Sequence, residues 1–381
     1  MTTSRTRLAA ALGLLGACFQ GEGTIGAVCS EAADCGPRQA CRHELCGRCG
    51  NGSHEAGEVC YADAIAIDDT PVLSSLRVVD LDDDDRDELL GLDDQGALQW
   101  IRPAGTAFTA QALPLAEVTA FVVTDLDDDG DTDVLAAVGD GVIALLRDGE
   151  SFTAAAPRSL GHTTMELALV PTDAGLLLVS VDDEGGAFAA PLVGDAAPVA
   201  MPSLGTAVHL GPSIYVDGDD HADLVIVDHR GNRLQVLIGD GATLVPGDTI
   251  GVGRGPRAVL AWDRTGDGHR DFLTLDHEGR TVTLVDVDDD GSLSVFGALA
   301  IAAAPTGVTA IDVDFDDSTD LVVSSERGLW LWRGPQGQAI DAVPLFETPA
   351  DGVWAVRFGV LPVFDLLALR EGVPQRFEVD P

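Results

Sequence analysis

From about Ala62 onward, short apolar runs alternate with clusters of Asp and Gly. Leu76–Val79, Leu89–Leu92, Val134–Val138, Leu224–Val227 and Leu321–Val323 are such runs, separated by turn residues at intervals of roughly 8–12 residues. No sustained 3.6-residue periodicity accompanies them, so the pattern predicts strands and hairpins rather than amphipathic helices. Tight turns are expected at Asp94 to Gly96, Gly139 to Gly141, Arg230 to Asn232, Glu278 to Gly279 and Glu326 to Gly328, with second hairpins at Gly239 to Gly241 and Asp288 to Gly291. The expected fold class is all-β.

An acidic nine-residue segment recurs between these runs: 80–88, 125–133, 215–223, 263–271 and 312–320. The ninth positions are Glu88, Asp133, Asp223, Asp271 and Asp320, with separations of 45, 90, 48 and 49 residues, so one copy is missing from a regular series. Val170 to Val179 fills the gap in degenerate form, and Val356 to Leu367 supplies a further degenerate copy near Asp365. Four strands in each period of roughly 40–50 residues is the size of one propeller blade, and seven periods give seven blades. A propeller must close its ring, and Ala62 to Ile67 is the expected strand lent to the last blade.

The pattern Asp-x-Asp-x-Asp-Gly-x-x-Asp, followed by a hairpin such as Val236 to Gly241, resembles the FG-GAP/VCBS repeat family. That family builds β-propellers in integrin α-subunit heads and in many bacterial surface proteins. The resemblance covers about 62–381 and is strongest over 205–325. It implies a seven-bladed propeller over 61–381 with cation-binding loops.

The chemistry of the loops follows from their spacing. Carboxylates at the first, third, fifth and ninth positions converge on one point, and Gly at the sixth allows a left-handed turn. Several hard oxygens in a flexible geometry suit Ca²⁺, whereas Mg²⁺ requires a stricter octahedron. The expected ligands are Asp80, Asp82, Asp84 and Glu88; Asp125, Asp127, Asp129 and Asp133; Asp217, Asp219 and Asp223; Asp263, Asp267 and Asp271; and Asp312, Asp314, Asp316 and Asp320. The loop at 125–133 is complete and should bind best, followed by 312–320 and 80–88, which carry Asp317 and Asp85 in place of Gly. Thr265 weakens 263–271, and Tyr215 in the first position makes 215–223 the weakest.

Charge narrows the possible partners. The chain of 381 residues carries a formal net charge of −41, and every one of its 22 basic residues is Arg. That excess disfavours nucleic acid and charge-driven docking on anionic lipid. No Gly-x-Ser-x-Gly, His-Glu-x-x-His or phosphate-cradling loop is present. The five Trp residues share no repeat offset, as core and rim packing would leave them.

The N-terminal residues read as an export signal. Arg5 and Arg7 precede the apolar run Leu8 to Leu15, too short to span a bilayer. Leu15-Gly-Ala-Cys18 resembles the lipobox of bacterial lipoproteins, which implies cleavage after residue 17, lipid on Cys18 and, with Phe19 next, the outer membrane of a Gram-negative cell. An ordinary secretory signal is the alternative. Residues 18–28 form a Gly-rich tether, and 29–60 hold Cys29, Cys35, Cys41, Cys46, Cys49 and Cys60. Six cysteines in an exported segment too small for its own core indicate three disulfides, while Cys46 and Cys49 with His43 and His54 leave a zinc site as the rival. The stretch Cys49 to Cys60 is similar to short Cys-rich repeats of secreted myxobacterial proteins. The expected whole is a monomeric, lipid-anchored, calcium-binding surface module that binds a protein or glycan. The alternative is an enzyme acting on polysaccharide or cell wall through the propeller channel.

Overall fold

The computed structural model describes the backbone of 40–42 and 45–47 and the chain from Val59 to Val379, apart from 68–69, 105–106, 202–204, 206, 265–269, 289–290, 334–342, 348 and 359–363. Cys18, Cys29, Cys35, Cys49, the signal segment and the tether lie outside the described residues. Two short strands, Ala40–Arg42 and Leu45–Gly47, pair with Cys41 opposite Cys46. Cys60 is buried and disulfide-bonded.

From Leu73 the chain forms seven antiparallel sheets in succession, the seven blades of a β-propeller, with no helix among the described residues. Six blades are consecutive meanders, from Leu73–Val79, Glu88–Asp93, Leu98–Ala104 and Ala107–Ala112 in blade 1 to Pro305–Ile311, Asp320–Ser325, Gly328–Trp332 and Val343–Phe346 in blade 6. In blade 2 the outer edge is shared by Ser151–Ala154 and Arg158–Ser159, which both pair with Gly141–Asp148. The degenerate copy near 175 forms a full blade, Thr164–Thr172, Gly175–Asp182, Ala187–Pro191 and Val199–Ala200.

Blade 7 closes the ring as expected. Its first three strands, Gly352–Val356, Asp365–Arg370 and Val373–Phe377, take a fourth from the chain's beginning, with Ile65 opposite Arg376 and Ala66 opposite Gln375. A bridge between Tyr61 and Val379 and bonds from Ala62 N to Glu378 O (2.8 Å) and Ile67 N to Pro374 O (3.0 Å) extend the seam.

The core explains why the second strand of each blade is a continuous apolar run. Successive residues face opposite neighbours: Leu224 and Ile226 pack toward blade 3, while Val225 and Val227 pack toward blade 5. Both faces are buried, so alternation gives way to unbroken hydrophobicity. Each of the seven buried clusters lies between adjacent blades, the last joining Val356 and Leu367 of blade 7 to Leu76 and Leu89 of blade 1. Trp100, Trp262 and Trp332 are buried in these seams, with Trp262 and Trp332 edge-to-face at 5.8 Å.

A bulge recurs near the start of the inner strand, leaving Ser74, Thr119, Met165, Arg257 and Thr306 as the extra residue. The hydroxyls of Thr119 and Thr306 donate to the next blade, to Thr164 O (2.5 Å) and Ala350 O (2.6 Å). Bulges re-aim side chains. Here they set aside one residue at the start of the inner strand in blades 1, 2, 3, 5 and 6, and Thr306 among them lines the central channel. Because each blade is a meander, the acidic loops between first and second strands lie on one face, and the hairpins between second and third strands lie on the other.

Candidate metal centres

Each acidic loop begins where an inner strand ends and finishes at the first residue of the second strand. In blade 2 the Asp125 carboxylate accepts from Asp129 N (3.3 Å) and Gly130 N (3.0 Å). Asp80 accepts from Asp84 N (3.2 Å) and Asp85 N (3.0 Å), and Asp312 from Asp316 N (3.2 Å) and Asp317 N (3.0 Å). The first acid therefore folds the loop around itself. The sixth position is left-handed in all three, with φ of 66° at Asp85, 93° at Gly130 and 65° at Asp317. So is the fourth, with φ of 57° at Asp83, 62° at Asp128 and 57° at Phe315, a requirement that the spacing of the acids did not disclose.

In three loops this geometry gathers carboxylates with oxygens within 4.8 Å of one another: Asp80, Asp82 and Glu88; Asp125, Asp127 and Asp133; and Asp312, Asp314 and Asp316. These are the three loops ranked highest from sequence. Asp84 and Asp129 stand outside their groups; Asp84 pairs with Arg86, which holds its carboxyl below the usual range, and Asp129 accepts from Asp131 N (2.8 Å). Asp320 stands outside the third group and bonds Val313 N (3.0 Å).

The grouped acids sit in a hostile electrostatic setting. Burial, then the nearby acids of the loop, push Glu88 up to about 7. Burial and Asp316 push Asp314 up to about 6, against the opposing pull of Arg333 at 3.6 Å. Desolvation followed by neighbouring acids also raises Asp82 and Asp127. One oxygen each of Asp82 and Asp314 is buried without a hydrogen-bond partner. An unpaired buried carboxylate oxygen is costly, and a hard divalent cation satisfies it. The donor set of all-oxygen ligands therefore fits Ca²⁺.

The remaining loops are arranged differently. In 215–223, Tyr215 offers no carboxylate to the loop amides, Asp219 accepts from His221 N (2.7 Å), and Asp217 accepts from Asp219 N (3.2 Å). The bond from His221 N, with the His221 ring adjoining, lowers the Asp219 pKa. Asp217, Asp219 and Asp223 do not converge. In blade 5, Asp267 and Thr265 lie outside the described residues, while Asp263 and Asp271 flank Arg264, which makes two bonds to Asp286, both at 3.0 Å.

The ninth acid does something the spacing alone did not reveal. In blades 2, 4 and 5 one oxygen bonds the amide of the loop's second residue and the other bonds an amide near the end of the blade's third strand. Asp133 bonds Leu126 N (2.8 Å) and Arg147 N (2.7 Å); Asp223 bonds Val216 N (2.7 Å) and Gly239 N (2.9 Å); Asp271 bonds Arg264 N (3.2 Å) and Val287 N (3.1 Å). Asp365, in a loop read as decayed, still bonds Val379 N (2.9 Å) and pairs with Arg376 (2.7 Å). This acid clamps the loop to the third strand in blades 2, 4 and 5, holds the loop's second amide in blades 1 and 6, and is a ligand candidate only in blades 1 and 2. A second recurrent acid, five residues later, closes the next hairpin: Asp93 accepts from Gln95 N (2.9 Å) and Ala97 N (2.8 Å), and Asp228 from Arg230 N (3.1 Å) and Gly231 N (2.9 Å). Its regular offset was the available signal.

The central channel holds a cavity of about 500 Å³ lined by Arg77, Leu260, Thr309, Asp351 and Trp354 among others. Asp351 is the one carboxylate among its described lining residues. Enclosure lowers the Arg77 pKa, with Glu166 opposing the shift, and Glu166 itself is engaged by His209 Nδ1 (2.6 Å) and Leu210 N (2.7 Å). The paired free carboxylates of a glycosidase are not assembled by these residues.

Two solved structures share the architecture. BBS1N, crystallised in complex with ARL6DN, superposes with a TM-score of 0.61 at 13% identity, covering 84% of this chain and 97% of that one. The β-propeller domain of Cps50 (Swd1) from Myceliophteria thermophila gives a TM-score of 0.55 at 13% identity, covering 84% and 99%. At such identities the likeness establishes the propeller fold alone. No protein-family model matches the chain, and no curated protein matches it by sequence.

Proposed function

We propose that the protein is a lipid-anchored, calcium-binding propeller of the FG-GAP/VCBS type, displayed at the outer membrane as a non-catalytic binding module for protein or glycan. The observation that carries the calcium reading is the pair of buried, unpartnered oxygens on Asp82 and Asp314, each inside a cluster of three acids. Asp80, Asp82 and Glu88, Asp125, Asp127 and Asp133, and Asp312, Asp314 and Asp316 would hold the ions. Ca²⁺ supplies neutralising charge to loops whose acids otherwise repel, and its role is to fix the loops. Extracellular modules of this chemistry bind at roughly 10⁻⁴–10⁻³ M, a range filled outside a cell.

Calorimetric titration with CaCl₂ after EDTA treatment tests the reading. Uptake of about three ions, with a rise in melting temperature, supports it; no heat and no shift would falsify it. The anchor rests on Leu15 to Cys18 and is tested separately. Cys18→Ser should release the protein from the membrane fraction and abolish acylation in mass spectra.

A further inference from the structure

The face opposite the acidic loops is divided by charge. Its hairpins read Asp93-Asp94-Gln95, Gly139-Asp140 and Asp182-Asp183-Glu184 in blades 1–3, but His229-Arg230, Glu278-Gly-Arg280 and Glu326-Arg327 in blades 4–6. Arg254 stands in the connection between blades 4 and 5, and Arg257 is the bulged residue near the start of blade 5's inner strand. Arg230, Arg254, Arg257, Arg280 and Arg327 are all exposed. Two contacts join the sector into one surface: His229 Nε2 lies 3.7 Å from Glu278 Oε1, and Arg254 donates to Glu278 O at 3.2 Å.

Several arginines elsewhere are matched with acids, as in Arg147 with Asp131, Arg264 with Asp286 and Arg376 with Asp365, while Arg270 and Arg370 are exposed singly in blades 5 and 7 without such a partner among the described residues. Arg230, Arg257, Arg280 and Arg327 form no ion pair with any described residue. In a chain of net charge −41, four exposed guanidinium groups left unpaired on one sector are available to an external anion. The planar fork of Arg suits carboxylate oxygens better than Lys would.

We infer that this sector of blades 4–6 binds an acidic polysaccharide through its carboxylates. The inference rests on the binding-module reading and names the partner class. The arginines are spread over three blades and do not converge on one cavity, so the ligand is an extended polymer. Glu278 and Glu326 lie between them and would repel a chain as densely charged as nucleic acid, while tolerating carboxylates spaced by neutral, hydroxyl-bearing sugars. The exposed aromatics Tyr215, Phe296 and Phe364 belong to other parts of the surface, so the sector has no stacking platform for bases among the described residues. Nor does it present an exposed large apolar side chain to anchor a protein interface.

The full chain, in calcium, should be retarded by hyaluronate in affinity electrophoresis, with dextran and poly-L-glutamate as the neutral and polypeptide comparators. Hyaluronate should bind and dextran should not, and binding should weaken as salt rises. The triple variant Arg230→Ser, Arg280→Ser, Arg327→Ser should lose affinity tenfold or more at an unchanged melting temperature, and Arg257→Ser alone should lose part of it. Equal retardation by dextran, undiminished binding by the triple variant, or capture by poly-L-glutamate alone would each overturn the inference. Calcium uptake measured on the same samples separates the outcomes, because a chain that takes up calcium but binds no hyaluronate loses this inference and keeps the proposed scaffold.

Discussion

At the scale of single residues, the acids divide by what they touch. Asp133 is fully buried and accepts from two amides, whereas Asp127 is exposed and belongs only to the convergent group. Asp133→Ala should therefore destabilise the protein by about 2–5 kcal/mol even in EDTA, since two amides lose their acceptor. Asp127→Asn should leave EDTA stability unchanged and remove one ion from the calorimetric stoichiometry. Equal behaviour of the two variants in EDTA would contradict this division. Sequence spacing placed both acids at one point but could not separate clamp from ligand, because the Arg147 amide comes from a strand that only the folded blade brings near.

The pH dependence belongs to the same scale. Glu88 and Asp314 have folded pKa values of about 7 and about 6, above their ordinary values of 4.5 and 3.8. A raised acid binds its proton more tightly in the folded state, so its contribution is fully present below the ordinary value and is lost as pH rises through the folded one. Without cations, stability should fall between pH 4 and about 7. Calcium competes with those protons, so its increment in melting temperature should be larger at pH 7.5 than at pH 5. Scanning calorimetry at both pH values, with EDTA or CaCl₂, checks the sign.

At the scale of elements, loop shape depends on left-handed backbone at two positions. Gly130 has φ of 93° with open space where a Cβ would stand, so Gly130→Ala isolates conformational strain from crowding. It should cost roughly 1–2 kcal/mol, read as a lower midpoint in urea. Asp317→Gly should move the other way, because Asp317 holds φ of 65° with a side chain that penalises it. The repeat, the hairpins and the apolar second strands were legible because each is a local pattern. The bulges at Thr119, Arg257 and Thr306 were not, since the register of one strand against another leaves no mark in composition. The hairpin arginines were visible as residues but acquired meaning only when the meander put them on one face.

At the scale of the molecule, seven near-equal interfaces share the core, and no blade owns it. Closure is the exception. Ile65 and Ala66 supply the whole fourth strand of blade 7, helped by the Tyr61 bridge. Deleting residues 59–67 should lower the melting temperature by many degrees and broaden the transition, with early hydrogen exchange confined to blades 7 and 1. A sharp, unshifted transition would show that blade 7 is stable on three strands. The fold was readable at this scale because blade count follows from repeat spacing.

The closing strand also sets how the protein meets a pull. A tether held at residues ahead of Val59 transmits its load first to Cys60, Tyr61 and the two register pairs of Ile65 and Ala66. Load applied there reaches blade 7 before any other blade and acts on a seam of two register pairs, one bridge and two flanking backbone bonds. Tension from the anchoring side would therefore unzip the ring at one point, while blades 2–5 remained folded. On the proposed anchor, the protein would have a mechanical limit set by a handful of backbone bonds, independent of its opposite face.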